Sequence, residues 1–266
     1  MKLDTVQIVY FSPTGTTRAI AEAIARGVAA DAAEIVDITR PDGRRRPLRV
    51  AEGTLLVLAA PVYGGRVPGV AAEWLRTVQA QQAPAVCVAV YGNRAYEDAL
   101  RELADLARAC GCVPVAGAAY VGEHSFSTAE SPVAPGRPDA ADLAHAEAFG
   151  QQVRAKLEGL ASLAEAPGLT VPGDFPYKEG AKPNGLDFIA VGDACTQCGQ
   201  CAALCPVGAI DPADSARIDL DACIRCCACI KLCPEHARHA KPGPVVDFAK
   251  KLLANCSARK EPETFL

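Results

Sequence analysis

Eight cysteines between residues 195 and 233 repeat one spacing twice, and no other feature of the chain limits its fold as tightly. The first run, CTQCGQCAALCP, holds Cys195, Cys198, Cys201 and Cys205; the second, CIRCCACIKLCP, holds Cys223, Cys226, Cys229 and Cys233. Each cysteine of the second run lies 28 residues after its counterpart. Three cysteines at three-residue intervals let one looping segment cover three corners of an iron–sulfur cube, whose iron atoms prefer soft thiolates to oxygen or nitrogen ligands. A disulfide framework would require an oxidising compartment, and the opening residues MKLDTVQIVYF have a strand pattern, not that of a secretion signal. Zinc usually takes four ligands from C-x2-C pairs, not two runs of four that each end in proline. Cys227 falls opposite Gly199 in the repeat and is expected to be a non-ligand.

The doubled C-x2-C-x2-C-x3-C-P run resembles the bacterial ferredoxins that carry two cubane clusters. That resemblance implies that the last cysteine of each run crosses to the other cluster. One [4Fe–4S] cluster would take Cys195, Cys198, Cys201 and Cys233, and the second Cys223, Cys226, Cys229 and Cys205. Pro206 and Pro234 would fix the backbone after each crossing ligand, with Ala202-Ala203-Leu204 and Ile230-Lys231-Leu232 shielding the cubes.

The chain has 266 residues, half of them hydrophobic, enough for one ordinary core and a small module. A net charge of −4 gives no sign of nucleic-acid binding. The one basic run, Arg44-Arg45-Arg46, is expected to be a solvated loop or a docking patch for an acidic partner. No apolar stretch approaches the roughly 20 residues that span a bilayer. Thirteen cysteines without a signal sequence point to the reducing cytoplasm. Cys87, Cys110, Cys112, Cys227 and Cys256 are expected to be packing residues.

Before residue 130 apolar runs alternate with amphipathic stretches. Strands are expected at 6–11, 34–38, 54–59, 85–91 and 113–121, and helices at 16–30, 69–78, 96–110 and 139–157. The third strand, TLLVLAA, is continuously apolar and suits a position buried on both faces. Such alternation implies a parallel sheet with helices on both sides. Between the first strand and first helix, Ser12, Thr14, Thr16 and Thr17 surround Gly15, so hydroxyls, turn amides and a helix N-terminus converge on one point. This arrangement suits a phosphate without the lysine of a Walker loop; simple N-capping by Thr16 is the plainer alternative.

The segment S-P-T-G-T-T after a first strand resembles the phosphate loop of flavodoxins, which hold FMN. The resemblance implies an α/β, flavodoxin-like, doubly wound five-stranded parallel sheet in the order 2-1-3-4-5, with FMN at the switch point between strands 1 and 3; flavodoxin is the standard example of that order. The loop of Pro61, Val62, Tyr63, Gly64 and Gly65 would then face the flavin ring, with Tyr63 stacking and the glycines permitting close approach. Gly92, Asn93 and Tyr96 occupy the other flavin-side loop. His124, after the fifth strand, would hydrogen-bond or protonate a flavin or a substrate. The domain is poor in aromatic residues, with Tyr63 the best stacker and Trp74 inside a helix.

The whole chain resembles the flavodoxin–ferredoxin fusion proteins of anaerobic bacteria and archaea. On that basis residues 1–160 form a flavodoxin-like FMN-binding domain, 161–185 a Pro/Gly-rich linker, 186–240 a small α+β two-cluster ferredoxin domain, and 241–266 a C-terminal helix and tail. Leu169, Val171, Phe175 and Tyr177 imply that the linker lies along the flavodoxin surface, and Val245, Phe248, Ala249 and Leu252 form the apolar side of an amphipathic helix. The expected function is electron transfer between the clusters and FMN, with redox partner proteins as donor and acceptor. Six acidic against four basic side chains in 190–240 give −2, which favours a basic partner. Two rivals are a reductase of a small substrate using His124, Glu123 or Tyr96 as proton donor, and a redox-sensing or binding protein whose flavodoxin fold is empty.

Overall fold

The computed structural model describes residues 3–28, 33–181 and 185–266. Five parallel strands form the sheet: β1 (Thr5–Tyr10), β2 (Ala33–Asp37), β3 (Thr54–Pro61), β4 (Ala83–Tyr91) and β5 (Cys112–Val121). Their order is β2-β1-β3-β4-β5, the doubly wound order expected from the sequence. The end of the first expected helix, at 29–30, lies outside the described residues, as do 182–184 of the linker.

Helices α1 (Thr16–Val28) and α4 (Ala140–Glu158) cover one face of the sheet, and α2 (Gly69–Leu75) and α3 (Ala99–Ala109) the other. Successive side chains of a strand point to opposite faces, and β3 divides accordingly. Leu55 and Val57 enter the core beneath α1 and α4, while Leu56 and Leu58 enter the core beneath α2 and α3. α3 starts later than expected, because Tyr96–Asp98 form a turn with Glu97 at φ +45°.

The sheet has a sixth strand that the sequence reading missed. Residues β8 (Glu263–Phe265) pair antiparallel with β5, Gly117 opposite Phe265 and Ala119 opposite Glu263. The segment leading to it is tied down as it crosses the sheet's end. Asn93 Nδ2 donates to the carbonyls of Cys256 (2.6 Å) and Ala258 (2.8 Å), and Lys260 Nζ donates to that of Arg94 (2.6 Å).

The cysteine-rich module is built from β6 (Ile189–Val191), α5 (Gln200–Leu204), α6 (Ala228–Lys231) and β7 (Arg238–Ala240), with β6 and β7 antiparallel. Its backbone repeats with the sequence. Left-handed residues recur 28 positions apart: Gln197 and Arg225 (φ +54° and +57°), Gly199 and Cys227 (+72° and +59°), Gly208 and His236 (+65° and +49°). Gly199 and Cys227 each stand at the N-cap of the short helix that follows. A buried cysteine in that conformation carries the cost of a β-carbon in the left-handed region.

Helix α7 (Pro244–Asn255) buries Val245, Ala249 and Leu252, whereas Phe248 stays 42% exposed at the rim of a cavity described below. The proline-rich segment lies against α3. Asp98 accepts from the amides of Asp174 and Lys178 (2.8 Å each), Arg108 donates to Leu169 O, and the Tyr177 hydroxyl donates to Asp105. Arg44, expected in a solvated patch, donates to Ile38 O, Thr39 O and, at 2.5 Å, Pro206 O of the cysteine module. Trp74 is buried and donates to Arg46 O. Among the described residues no helix is long and apolar enough to cross a membrane.

Helices α1 and α4 touch through glycine. A β-carbon on Gly150 would sit 2.1 Å from Ile24 O, and one on Gly27 would sit 1.9 Å from Glu147 O. Backbone on both sides prevents local relief. Gly150→Ala is therefore expected to destabilise the protein by about 2 kcal/mol despite alanine's better helix propensity, lowering Tm by roughly 4–8 °C. Calorimetry showing an unchanged or raised Tm would contradict this packing.

Candidate functional site

The loops at the C-terminal ends of β1, β3, β4 and β5 enclose a cavity of about 550 Å³, within the usual range for a small-molecule site. Thr14 and Thr16 line it from the first loop. The Ser12 hydroxyl is used locally, accepting from the Arg18 amide at 3.0 Å and so capping α1. Ser12, Gly15 and Thr17 do not line the cavity, and Thr17 is buried.

From the second loop Pro61, Val62, Tyr63, Gly64 and Gly65 all contribute to the wall. Tyr63 and Arg66 exchange backbone hydrogen bonds across a two-residue turn, with Gly64 and Gly65 at φ +62° and +84°. Only glycine takes two consecutive left-handed positions without strain, so the Gly-Gly pair sets the height at which Tyr63 meets the cavity. Burial holds the Tyr63 phenol well above its ordinary pKa, with the neighbouring Cys226 and Cys227 thiols adding to the rise and a Ser125 hydrogen bond opposing it.

The third loop departs from expectation. Gly92 lines the cavity, but Asn93 and Tyr96 do not. Asn93 is 2% exposed and spends its amide on the 256–258 carbonyls. Tyr96 packs edge-on against Tyr91 and donates to Glu263 Oε2 at 2.8 Å. Both side chains anchor the crossing segment, a partner 160 or more residues away in sequence and invisible to a local reading.

His124 lies on the cavity wall with its ring over Gly92, where a β-carbon would meet Cδ2 at 2.3 Å. Its Nδ1 accepts from the Phe126 amide at 3.0 Å, which assigns the ring proton of the neutral form to Nε2. Burial, then the charges of Lys231 and Arg94, push its pKa down to about 4. The imidazole is neutral at pH 7 and offers a hydrogen bond, not an acidic proton. For Glu123 burial acts to raise the pKa, but Lys231 and the Gly136 amide outweigh it and hold the carboxylate below its usual range. Glu123 and Lys231 form an ion pair that joins the two modules.

The remaining wall was not foreseen. Ile224 and Arg225, between Cys223 and Cys226 of the second run, face the cavity, as do Phe126 and the Pro244, Val245 and Phe248 side of α7. Ile224 also packs against the sheet's α2/α3 core, while Phe126 packs against Phe188 in the core of the cysteine module (ring centroids 6.4 Å) and against the partly exposed Phe248 of α7 (6.2 Å).

Two smaller cavities lie within that module. Cys195, Cys198, Cys201 and Cys233 line one, with Ser215, Glu235 and Arg238. Cys205, Cys223, Cys226 and Cys229 line the other, with Phe188, Ile210, Ile218 and Ile224. Each set draws three thiols from one run and one from the other. Among the described residues no three His, Cys, Asp or Glu side chains converge tightly enough to hold a single ion. The thiols stand around voids, an arrangement suited to a cluster more than to one zinc ion with sulfurs at about 2.3 Å. Cys227 lies beside the second void, buried, with its thiol directed at Arg225 O (3.8 Å). Cys87 and Cys112 are core residues whose thiols burial pushes up to about 12.

The flavodoxin domain family matches residues 7–108, and the 4Fe-4S dicluster domain family matches residues 188–234. Similar solved structures include a flavodoxin from Streptococcus pneumonia TIGR4 (16% identity, 57% of this chain and 99% of that one, TM-score 0.41). Flavodoxin 2 from Bacillus cereus is similar at 14% identity over 58% of this chain and 99% of that one (TM-score 0.41). A flavodoxin from the domain Archaea is similar at 16% over 58% and 99% (TM-score 0.38). No curated protein matches the chain.

The low His124 pKa gives a pH dependence with a fixed sign. An unfolded histidine binds a proton near pH 6.5 and the folded one only near pH 4, so this contribution to stability is complete above pH 6.5 and lost as pH falls toward 4. His124→Gln removes the term. The urea-unfolding free energy of the parent minus that of the variant is expected to shrink by about 1 kcal/mol between pH 7 and pH 5.5. A difference that stays constant with pH would show that His124 ionises freely in the fold.

Proposed function

We propose that this chain, a flavodoxin domain followed by a 4Fe-4S dicluster domain and so a member of the flavodoxin–ferredoxin fusions, passes electrons within one molecule between an FMN and two [4Fe–4S] clusters. One observation carries the reading: the cavity walled by the three flavodoxin loops is also walled by Ile224 and Arg225, which lie between two cysteines of the second run. When bound, FMN supplies one- and two-electron chemistry and each cluster supplies one-electron chemistry.

The chain's own residues have definable tasks. Thr14, in the turn before α1, and Thr16, its first residue, offer hydroxyls and a helix N-terminus to the phosphate. Tyr63 gives the ring a flat apolar neighbour, and the Gly64-Gly65 turn permits its approach. His124 holds its Nε2 proton as a neutral donor on the same wall. Cys195, Cys198, Cys201 and Cys233 would ligate one cluster, and Cys205, Cys223, Cys226 and Cys229 the other. The second set is the nearer to the flavin cavity, because Ile224 lines both voids. Ile224, Phe126 and Val245 exclude water from the gap, while the Arg44–Pro206 and Lys231–Glu123 contacts fix its width. Transfer by tunnelling falls steeply with distance, so a fixed short gap serves it directly.

The geometry favours this role over reduction of a small substrate. Of the proton donors that such a reductase would need, Glu123 is paired with Lys231, Tyr96 is bonded to Glu263, and His124 is neutral. The cysteine module and α7 also contribute to the cavity wall. Three of the four basic residues in 190–240 face inward: Arg225 lines the cavity, Lys231 pairs with Glu123, and Arg238 is buried. The module's outer surface is therefore more acidic than its net charge implies, which suits a basic redox partner.

Protein purified without oxygen is expected to carry about eight iron atoms and to release one FMN per chain. Thr14→Ala with Thr16→Ala should weaken FMN binding at least fivefold, by about 1–3 kcal/mol of lost hydrogen bonding, and leave iron unchanged. Zinc in place of iron, or full iron with no flavin uptake, would defeat the proposal.

A further inference from the structure

One buried cation touches both cysteine cages. The 28-residue repeat pairs Ile210, after the first run, with Arg238, after the second. Both are buried, at 5% and 4% exposure, so the arginine stands where the repeat elsewhere uses an apolar side chain. Arg238 lines the cage of Cys195, Cys198, Cys201 and Cys233. It also reaches the cage of Cys205, Cys223, Cys226 and Cys229. Burial pushes the Cys229 thiol up to about 11, and the charge of Arg238, with a hydrogen bond from it, opposes that rise. At Cys223, where burial also raises the thiol, its charge acts in the same sense.

The guanidinium is incompletely satisfied by protein. Nη1 donates to Ser215 O at 2.7 Å and approaches Cys201 Sγ at 3.5 Å. Nε and Nη2 are buried without a well-formed hydrogen bond. Among the described residues no carboxylate forms an ion pair with it; Glu235, on the same wall, is exposed. A buried, unpaired cation carries a large desolvation cost unless an anion lies within reach. A cubane held by four thiolates is such an anion, and its sulfurs accept hydrogen bonds. The residues therefore fit the groups that the cysteine spacing implies, and they place one cation against two of them. The module's other inward cations lie elsewhere: Arg225 lines the second cage and the flavin cavity, and Lys231 pairs with Glu123.

Resting on the two-cluster reading above, we propose that Arg238 is the shared counter-ion of both clusters, donating N–H···S hydrogen bonds to Cys201 of one cage and Cys229 of the other and raising both reduction potentials together. Net charge and hydrogen bonds to sulfur set cluster potentials, and this side chain supplies both to each cage. Every electron delivered by a redox partner adds negative charge to a cage that already carries it, and the same guanidinium meets that charge in either cage. The arginine itself keeps its proton and takes no electron; it is a tuning residue, not a ligand. Its charge also offsets repulsion between two reduced clusters, so one molecule can hold an electron on each, matching the two that a flavin can take.

The test is an anaerobic redox titration of the holoprotein followed by electron paramagnetic resonance, with iron counted in every sample. Arg238→Ile copies the residue that the repeat already uses. With about eight iron atoms retained, both midpoints are expected to fall, each by at least about 30 mV, a threefold loss in the one-electron reduction equilibrium. Arg238→Lys, which keeps the charge and loses the fork, should give smaller falls at both clusters. A fall at one cluster only, or at neither, in a fully loaded Ile variant would overturn the inference. Where the Ile variant loses iron, the Lys variant decides: falls at both clusters support the inference, and a fall at one or none overturns it. Should both variants lose iron, otherwise unaltered protein labelled with guanidino-¹⁵N arginine decides, in an Arg225→Lys background that removes the other nearby guanidinium. Nitrogen hyperfine coupling to both reduced clusters is then required, and its absence from either overturns the proposal. Parent protein without about eight iron atoms would instead defeat the cluster assignment itself.

Discussion

The two modules trade apolar side chains, and the arrangement of the cavity follows from that trade. Ile224 leaves the cysteine module to pack on the sheet's core, and Phe126 leaves the loop after β5 to pack between Phe188 and Phe248. Separating the modules would return part of each half-buried side chain to water, at about 1 kcal/mol each. The polar contacts around them, Arg44 to Pro206 and Lys231 with Glu123, add direction more than strength, because partly exposed ion pairs contribute little. With the interlock formed, the cavity has one wall from each module and a constant width.

The strand order was legible because it rests on periodicity: a run such as TLLVLAA fits only a strand buried on both faces, and β3 is such a strand. The cysteine spacing was legible because loop geometry needs it, and the left-handed backbone positions recur with the same 28-residue offset. What failed to show was decided by distant partners. Asn93 and Tyr96 sit where loop chemistry would aim them at a ligand, yet each is claimed by the segment between 256 and 263. β8 has three residues and no periodicity of its own; the free edge of β5 selects it. Arg44 looked like part of a solvated basic run because nothing local announces the Pro206 carbonyl. Arg238 carried a visible signal, the substitution of arginine for isoleucine between repeats, but only burial gives that difference its meaning.

Loop conformation and helix caps are held in common by the two halves of the cysteine module. The surroundings differ in part: one void is walled by Phe188, Ile210, Ile218, Ile224 and Arg225, the other by Ser215, Glu235 and Arg238. Cys198 is exposed at the void lined by Arg238, whereas Cys226 is buried at the void lined by Ile224.

The pairing of β8 with β5 bears on how the chain is made. Until residues 263–265 have left the ribosome, β5 presents unpaired N–H and C=O groups along Gly117–Ala119, and this is an edge that invites strand addition from another molecule. Asn93 and Tyr96 meanwhile lack their partners. Synthesis interrupted after the second cysteine run would yield a nearly complete sheet with a bare flank, so a truncated product is distinguished from a finished one by its tendency to aggregate.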